Sequence, residues 1–233
     1  MLHRAPRWEC LTVLFCLILL IAFNIVYPHF DETFSWLFFT PNIGFFLNTS
    51  WGEWIKHSIW WASCTAIFLS LLYIFIHFTF LNNLNNRKKG IFVLLFLIIG
   101  PGLIVDWGLK NHWGRARPKS TVTFGGTALY SPPFSPSQQC LRNCSFVSGH
   151  AAAGYSCLVF GAFSQKRARW LLSSLSLGFL FGLLRVFQGA HFLSDIIFAF
   201  FPLWFTRECM IHLWQWINKF RDKPCNEPAL DLQ

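Results

Sequence analysis

Long apolar runs separated by short basic links form the main pattern along the chain. A helix needs roughly 20 predominantly apolar residues to cross a bilayer. Six stretches suit that role, near 10–27, 57–80, 90–109, 149–164, 170–187 and 191–206. The last two run almost together, and the pattern alone does not fix the boundary between them. The reading is an all-α, polytopic bundle of six transmembrane helices, with residues 1–233 as a single integral membrane domain. The first run follows Arg4 and Arg7, as a secretory signal would. No convincing small-residue cleavage site follows it, so it is expected to remain as an anchor helix. No internal repeat or low-complexity segment stands out.

Charge between the runs predicts orientation, because basic residues collect in cytoplasmic links. Arg4 and Arg7 precede the first run, Arg87, Lys88 and Lys89 separate the second from the third, and Lys166, Arg167 and Arg169 separate the fourth from the fifth. Arg207, Lys219, Arg221 and Lys223 follow the sixth. Six crossings put all four segments, and both termini, on the cytoplasmic side. The outward segments are then 28–56, 110–148 and the short turn 188–190. Segment 28–56, with Trp36, Trp51, Trp54, Asp31, Glu32 and Glu53, reads as an interfacial cover near a pocket mouth. Trp214 and Trp216 suggest a surface-lying helix after Arg207, and 224–233 an unstructured tail.

Composition agrees with this picture. Only 12% of residues are charged, against about 25% in an average soluble domain. Twelve Trp suit the interfacial belts. The net charge of +9 would suggest nucleic acid in a soluble protein. Here no such motif is present, and an anionic ligand is the better partner. One outward loop breaks the charge rule. Residues 110–148 carry Lys110, Arg115, Arg117, Lys119 and Arg142 with no Asp or Glu. Long loops tolerate charge, and an anion site would also explain it. In the same loop Cys140 and Cys144 would pair in an oxidising exterior. Their spacing also suits a metal, but no His or acid lies close by. The remaining Cys read mostly as apolar packing.

Charged groups inside the runs are the more informative exception, since each costs several kcal/mol at membrane depth unless paired or hydrated. Arg185, His191 and Asp195 fall within eleven residues of apolar sequence. His191 and Asp195 are four apart, so on a helix they would share a face, with Asp195 accepting from one ring nitrogen. The other nitrogen would then be free as base or nucleophile. An ordinary self-satisfied buried pair would look the same. Lys110 and Arg117 sit at the end of the third run, and alone they read equally as a basic rim. Ser148, Gly149 and His150 stand where the long loop meets the fourth run, at a helix start with free N–H groups. All seven polar side chains fall at the outward ends of runs three to six. A single pocket with three cations, two His and one Asp is the economical reading, and phosphate suits it best.

These residues also resemble a known family. Lys110-x6-Arg117-Pro118, Ser148-Gly149-His150 and Arg185-x5-His191-x3-Asp195 match, in order and spacing, the three motifs of the type 2 phosphatidic acid phosphatase (PAP2) superfamily. The three-motif core spans 110–195. Two positions depart, with Val147 in place of Pro and Leu184 in place of Ser. The resemblance implies a metal-independent phosphoric monoester hydrolase without a cofactor. It implies His191 as nucleophile forming a phosphohistidine, Asp195 orienting it, and His150 as acid and then base. Lys110, Arg117 and Arg185 would hold the phosphate oxygens, with Ser148 and the Gly149 amide adding hydrogen bonds. His112 is read as a rim residue.

The stretches 108–118, 124–127 and 143–151 look most similar to bacterial lipid A phosphatases, of the 4′ type. That resemblance implies a multi-pass enzyme of the bacterial inner membrane whose site faces the periplasm and acts on lipopolysaccharide lipid. The 1-phosphate of lipid A, undecaprenyl pyrophosphate, phosphatidylglycerol phosphate and phosphatidic acid remain alternative substrates. A phosphotransferase would use the same site, a vanadate-dependent oxidant shares the pocket, and a non-catalytic lipid-binding or channel protein would not need both His. Oligomeric state is not readable.

Overall fold

The computed structural model describes residues 2–47 and 49–221, which fold mostly as helix. Lys223 and the tail 224–233 lie outside the described residues. Helix α1 is Arg7–Val26 and the short α2 is Phe30–Trp36. A two-residue antiparallel pair follows, β1 (Phe39–Thr40) with β2 (Gly44–Phe45). Helix α3 is Ser50–Thr79, capped by Thr49, whose hydroxyl accepts from Gly52 N. Helix α4 (Leu84–Leu97) continues as a π-wound stretch over Ile98–Leu109 and closes with the single turn α5, Lys110–His112. Pro101 sits inside the π-wound part. It lacks a backbone donor and would break a regular helix, and the wider winding lets the rod run on without a stop. After the long loop come α6 (Gly149–Tyr155), a 3-10 stretch (Ser156–Phe163), α7 (Arg167–Val186), α8 (Leu193–Phe198) and α9 (Phe200–Arg221).

Five of these helical segments are long and apolar enough to cross a membrane: Arg7–Val26, Ser50–Thr79, Leu84–His112, Arg167–Val186 and Leu193–Lys219. The expected fourth run differs. It is a seven-residue α-helix followed by eight 3-10 residues, and it is mostly buried among its neighbours. Inward-facing Ala, Gly and Ser, such as Ala151, Ala152, Gly154 and Ala162, let it run inside the bundle. The last run also differs. It starts at Leu193, leaving His191 in the preceding turn, and α9 continues past Arg207 as one helix. Trp214 therefore packs on Phe92 of α4, with ring centroids 5.8 Å apart, instead of starting a separate surface helix.

The bundle has two distinct ends. At one, Arg167 pairs with Glu9 at 2.9 Å, Ala5 N donates to Glu208 at 3.0 Å, and His3 N donates to the Ala162 carbonyl at 2.8 Å. The start of α1, the start of α7 and the middle of α9 thus meet there. At the other end lie α2, the β pair, the long loop 113–148 and the turn between α7 and α8. Between the ends, Phe92, Phe96, Tyr155, Leu158, Ile196 and Leu203 form the core. Helices α6 and α7 approach closely where Gly154 faces Gly178. A Cβ on Gly178 would lie 2.1 Å from the Tyr155 ring, so only glycine permits the contact.

Candidate active site

Backbone hydrogen bonds sew the three motif segments into one site. Cys144 N donates to the Lys110 carbonyl at 3.0 Å, and Ser145 N to the Arg115 carbonyl at 2.9 Å. Ser148 N donates to the Asp195 carbonyl at 3.0 Å, and Lys119 N to the Gly189 carbonyl at 2.9 Å. The disulfide between Cys140 and Cys144, with Cα atoms 5.6 Å apart, ties the loop just before the second segment. The cover joins the same assembly, since Leu47 N donates to the Phe187 carbonyl at 2.9 Å.

His191 lies in the turn before α8, not on a shared helix face with Asp195. Its Nδ1 donates to the Ser145 carbonyl at 2.7 Å and stands 3.8 Å from Asp195 Oδ2. The expected direct hydrogen bond to Asp195 is therefore replaced by one to a carbonyl. A carbonyl only accepts, so Nδ1 carries the proton and Nε2 keeps its lone pair. Burial pushes the imidazole down to about 4, opposed by Asp195 and reinforced by Arg117 and Lys110. Asp195, in the first turn of α8, is fully buried. Its Oδ2 accepts from Phe192 N at 2.8 Å and from the Ser145 hydroxyl, and its Oδ1 from Arg115 Nη1 at 2.5 Å.

Of the cations, Lys110 and Arg117 are partly exposed and Arg185 is buried. Lys110 Nζ lies 3.4 Å from Asp106, a partner that the motif spacing gave no sign of. Arg117 donates to the carbonyl and side chain of Asn143 at 2.8 and 2.9 Å. Burial lowers the Arg117 pKa, with Asp195 and Glu53 opposing. Arg185 Nη1 donates to the Gln188 side chain. Arg185 Nε, Gln188 Nε2 and His150 Nδ1 are buried without hydrogen-bond partners. Buried polar groups left unpaired are costly, and an anion with several oxygens would satisfy the Arg185 and Gln188 donors. Ser148 caps α6, its hydroxyl accepting from Ala151 N at 3.3 Å. A Cβ on Gly149 would meet Asp106 Oδ1 at 2.6 Å, so a side chain there would have to push the Asp106 carboxylate aside. His112 is exposed and bonds the Gly108 carbonyl at 2.8 Å, away from the cluster.

Lys110, Gly149 and His150 also line one part of a cavity of about 910 Å³. The rest of its wall is mostly apolar and comes from α3, α4, α6 and α7, including Trp60, Ile67, Leu97 and Phe181. Polar groups that can hold a phosphate thus adjoin a space suited to hydrocarbon. Among the described residues, no three His, Cys, Asp or Glu side chains are grouped to hold a metal ion.

The sequence reading gave no site role to Arg115, Asp31 or Ser145. Arg115 is wholly buried among Asp31, Asp195 and Ser194. Asp31, on the cover helix α2, is buried with it, and Ser145 joins Asp195 to His191. The only hint was negative: a loop with five cations and no acid needs carboxylates from elsewhere.

Residues 90–220 match the profile described as the PAP2 superfamily. The chain is 33% identical over 184 residues to a lipid A 4′-phosphatase of Francisella tularensis subsp. novicida (strain U112), covering 76% of this chain and 82% of that protein. It is 38% identical over 117 residues to a lipid A 4′-phosphatase of Rhizobium leguminosarum, covering 49% and 50% of the two chains. A lipid A 1-phosphatase of Rhizobium johnstonii (strain DSM 114642 / LMG 32736 / 3841) is 28% identical over 154 residues, covering 62% and 60%. No solved structure matches.

Proposed function

The chain belongs to the PAP2 superfamily, and from that premise we propose that this membrane phosphatase removes the 4′-phosphate of lipid A through a phosphohistidine. The observation that carries this reading is the meeting of the three motif segments beside an apolar cavity, with donors on Arg185 and His150 buried and unpaired. A lipid phosphate has the matching chemistry, an anionic head and hydrocarbon tails. The names of the 4′-phosphatase relatives support the choice of lipid and of position.

In this mechanism His191 Nε2 attacks phosphorus while the bond to the sugar oxygen breaks. His150 gives that oxygen its proton, and a bound phosphate favours the protonated form needed for the step. Lys110, Arg117 and Arg185 hold the three equatorial oxygens as charge spreads over them. The Gly149 amide, at the start of α6, adds a further donor. Water then gives a proton to His150 and attacks phosphorus, the N–P bond breaks, and inorganic phosphate leaves. Asp195 holds the Ser145 segment that orients His191 and balances the positive charge formed on the ring.

The same reading places the chain as a single domain in the bacterial inner membrane, with both termini cytoplasmic and the site facing the periplasm. Residues 149–163 would serve as the fourth of six crossings. Seven α residues and eight 3-10 residues span about 10 Å plus about 16 Å, close to a hydrocarbon thickness of about 30 Å. The relative acting at the 1-phosphate makes that position the second candidate.

The test is phosphate release by protein purified in detergent with EDTA. The panel holds bis-phosphorylated lipid A, undecaprenyl pyrophosphate, phosphatidylglycerol phosphate and phosphatidic acid, with His191→Ala alongside. Mass spectrometry is expected to show loss of the 4′-phosphate by the wild type and none by the variant. Release only from another lipid discards lipid A. A phosphorylated lipid acceptor without free phosphate identifies a transferase, and equal release by the variant removes His191 as nucleophile.

A further inference from the structure

We propose that Arg115 and Asp31 are a positioning pair for the reaction, through which the outer cover helix α2 sets the geometry of Asp195 and His191. The inference rests on the phosphatase reading above, but on contacts that reading does not use.

Arg115 is a buried cation with 0% exposure. A guanidinium has five N–H donors in a fixed fork. Five acceptors surround this one. Nε donates to the Ser131 carbonyl at 2.8 Å, Nη1 to Ser194 Oγ at 2.9 Å and to Asp195 Oδ1 at 2.5 Å. Nη2 donates to Asp31 Oδ2 at 2.8 Å and to Tyr130 Oη at 3.4 Å. Its face rests on the Phe192 ring, 4.3 Å from the centroid. Burial opposes the charge, but Asp195 and Asp31 outweigh it and raise the pKa, so the group stays cationic. No donor is left for a substrate. Arg115 therefore does work distinct from Arg117, two residues on.

That work is to fix the Asp195 carboxylate. Asp195 reaches His191 through Ser145, whose hydroxyl bonds Asp195 and whose carbonyl bonds Nδ1. Asp31 completes the other side. It accepts from Arg115 and from the Ser194 amide at 3.0 Å, and from the Ser194 hydroxyl. One carboxylate thus holds both the arginine and the first turn of α8, which carries Asp195. The contacts run from Asp31 to Arg115, Asp195, Ser145 and His191, across 84 residues between the first two. A lysine offers one compact charge and cannot reproduce the fork.

Charge gives a signature that simple destabilisation lacks. His191 is faced by Asp195, Arg117, Lys110 and His150, with Arg115 and Asp31 behind Asp195. Removing the Arg115 charge favours protonated His191, so the acidic limb of the kcat/KM profile moves to higher pH. Removing the Asp31 charge moves it to lower pH. The two shifts have opposite sign.

The experiment compares wild type, Arg115→Gln, Asp31→Asn and His191→Ala in detergent, on whichever lipid phosphate the wild type hydrolyses. A failure of the lipid A reading then changes the substrate and not this comparison. Both charge variants should lose about 100-fold in kcat, as a misplaced nucleophile does, with KM changed less than about 3-fold. The acidic limbs should separate in opposite directions. Arg115→Met with Asp31→Leu serves if a single variant fails to fold, because it removes one buried charge of each sign, while Asp195 loses its arginine but keeps its bonds from Phe192 N and the Ser145 hydroxyl. That double variant should fold and keep the low kcat. Wild-type kcat in it, or unchanged kcat and pH profiles in the single variants while His191→Ala is inactive, overturns the proposal.

Discussion

His191 is held uncharged by its surroundings, and this sets how the protein should respond to acid. An exposed imidazole titrates near 6.5. Burial, with Arg117 and Lys110 nearby, pushes His191 down to about 4. As the proposed nucleophile, His191 must be unprotonated at Nε2, so activity should be lost as pH falls through the folded-state value and not through 6.5. The profile of kcat/KM, which reports the free enzyme, should therefore keep most of its height at about pH 5.5. An acidic limb centred near 6.5 that the second ionisation of the substrate phosphate, at about 6, does not account for would show that the nucleophile is not this buried group. At this scale the site was legible where spacing carried it: Lys110, Arg117, His150, Arg185, His191 and Asp195 were all named from sequence order. The structure brings their segments together but routes the His191–Asp195 link through Ser145. Asp31, Arg115 and Ser145 were not legible as a set. Their partners lie up to 84 residues away, and no local period records such a contact. Asp106 and Gln188 were missed for a related reason, since neither belongs to a motif.

The elements show which part of the hydropathy signal is physical. Length and apolarity were enough for α1, α3, α4, α7 and the α8–α9 segment, whose outer faces are the exposed apolar ones. They were not enough for 149–163, where a run buried on most sides need not be one long helix. Its neighbour α7 decides its shape. Gly154 and Gly178 let the two backbones meet, and Tyr155 lies across Gly178. Gly178→Leu forces a side chain into that ring, and overpacking costs about 1–3 kcal/mol. Leu172→Ala, on the exposed face of the same helix, should cost within about 0.5 kcal/mol. Thermal unfolding in detergent should fall clearly for the first and hardly for the second. Equal melting of Gly178→Leu and wild type would mean that the close approach of α6 and α7 is not part of the native packing.

The two ends of the molecule differ, and its charges account for the cations of a loop that the proposed orientation turns outward. Arg115 is consumed by two carboxylates, and Arg117 is bound to Asn143 beside the site. Lys110 is paired with Asp106. These charges serve the centre and carry little topological weight. Arg87, Lys88 and Lys89 in the α3–α4 link region, with Lys166 and Arg169 before and within α7, have no such duty. They should face the cytoplasm. Cysteines introduced at the two ends test this directly. Leu129→Cys lies on the long loop, 63% exposed, and Asn85→Cys at the start of α4 is also exposed. In cells with a permeabilised outer membrane, a charged maleimide that cannot cross the inner membrane should label Leu129→Cys. Asn85→Cys should react only after lysis. The reverse pattern would turn the site toward the cytoplasm and rule out a periplasmic phosphatase, while leaving the catalytic geometry as it is.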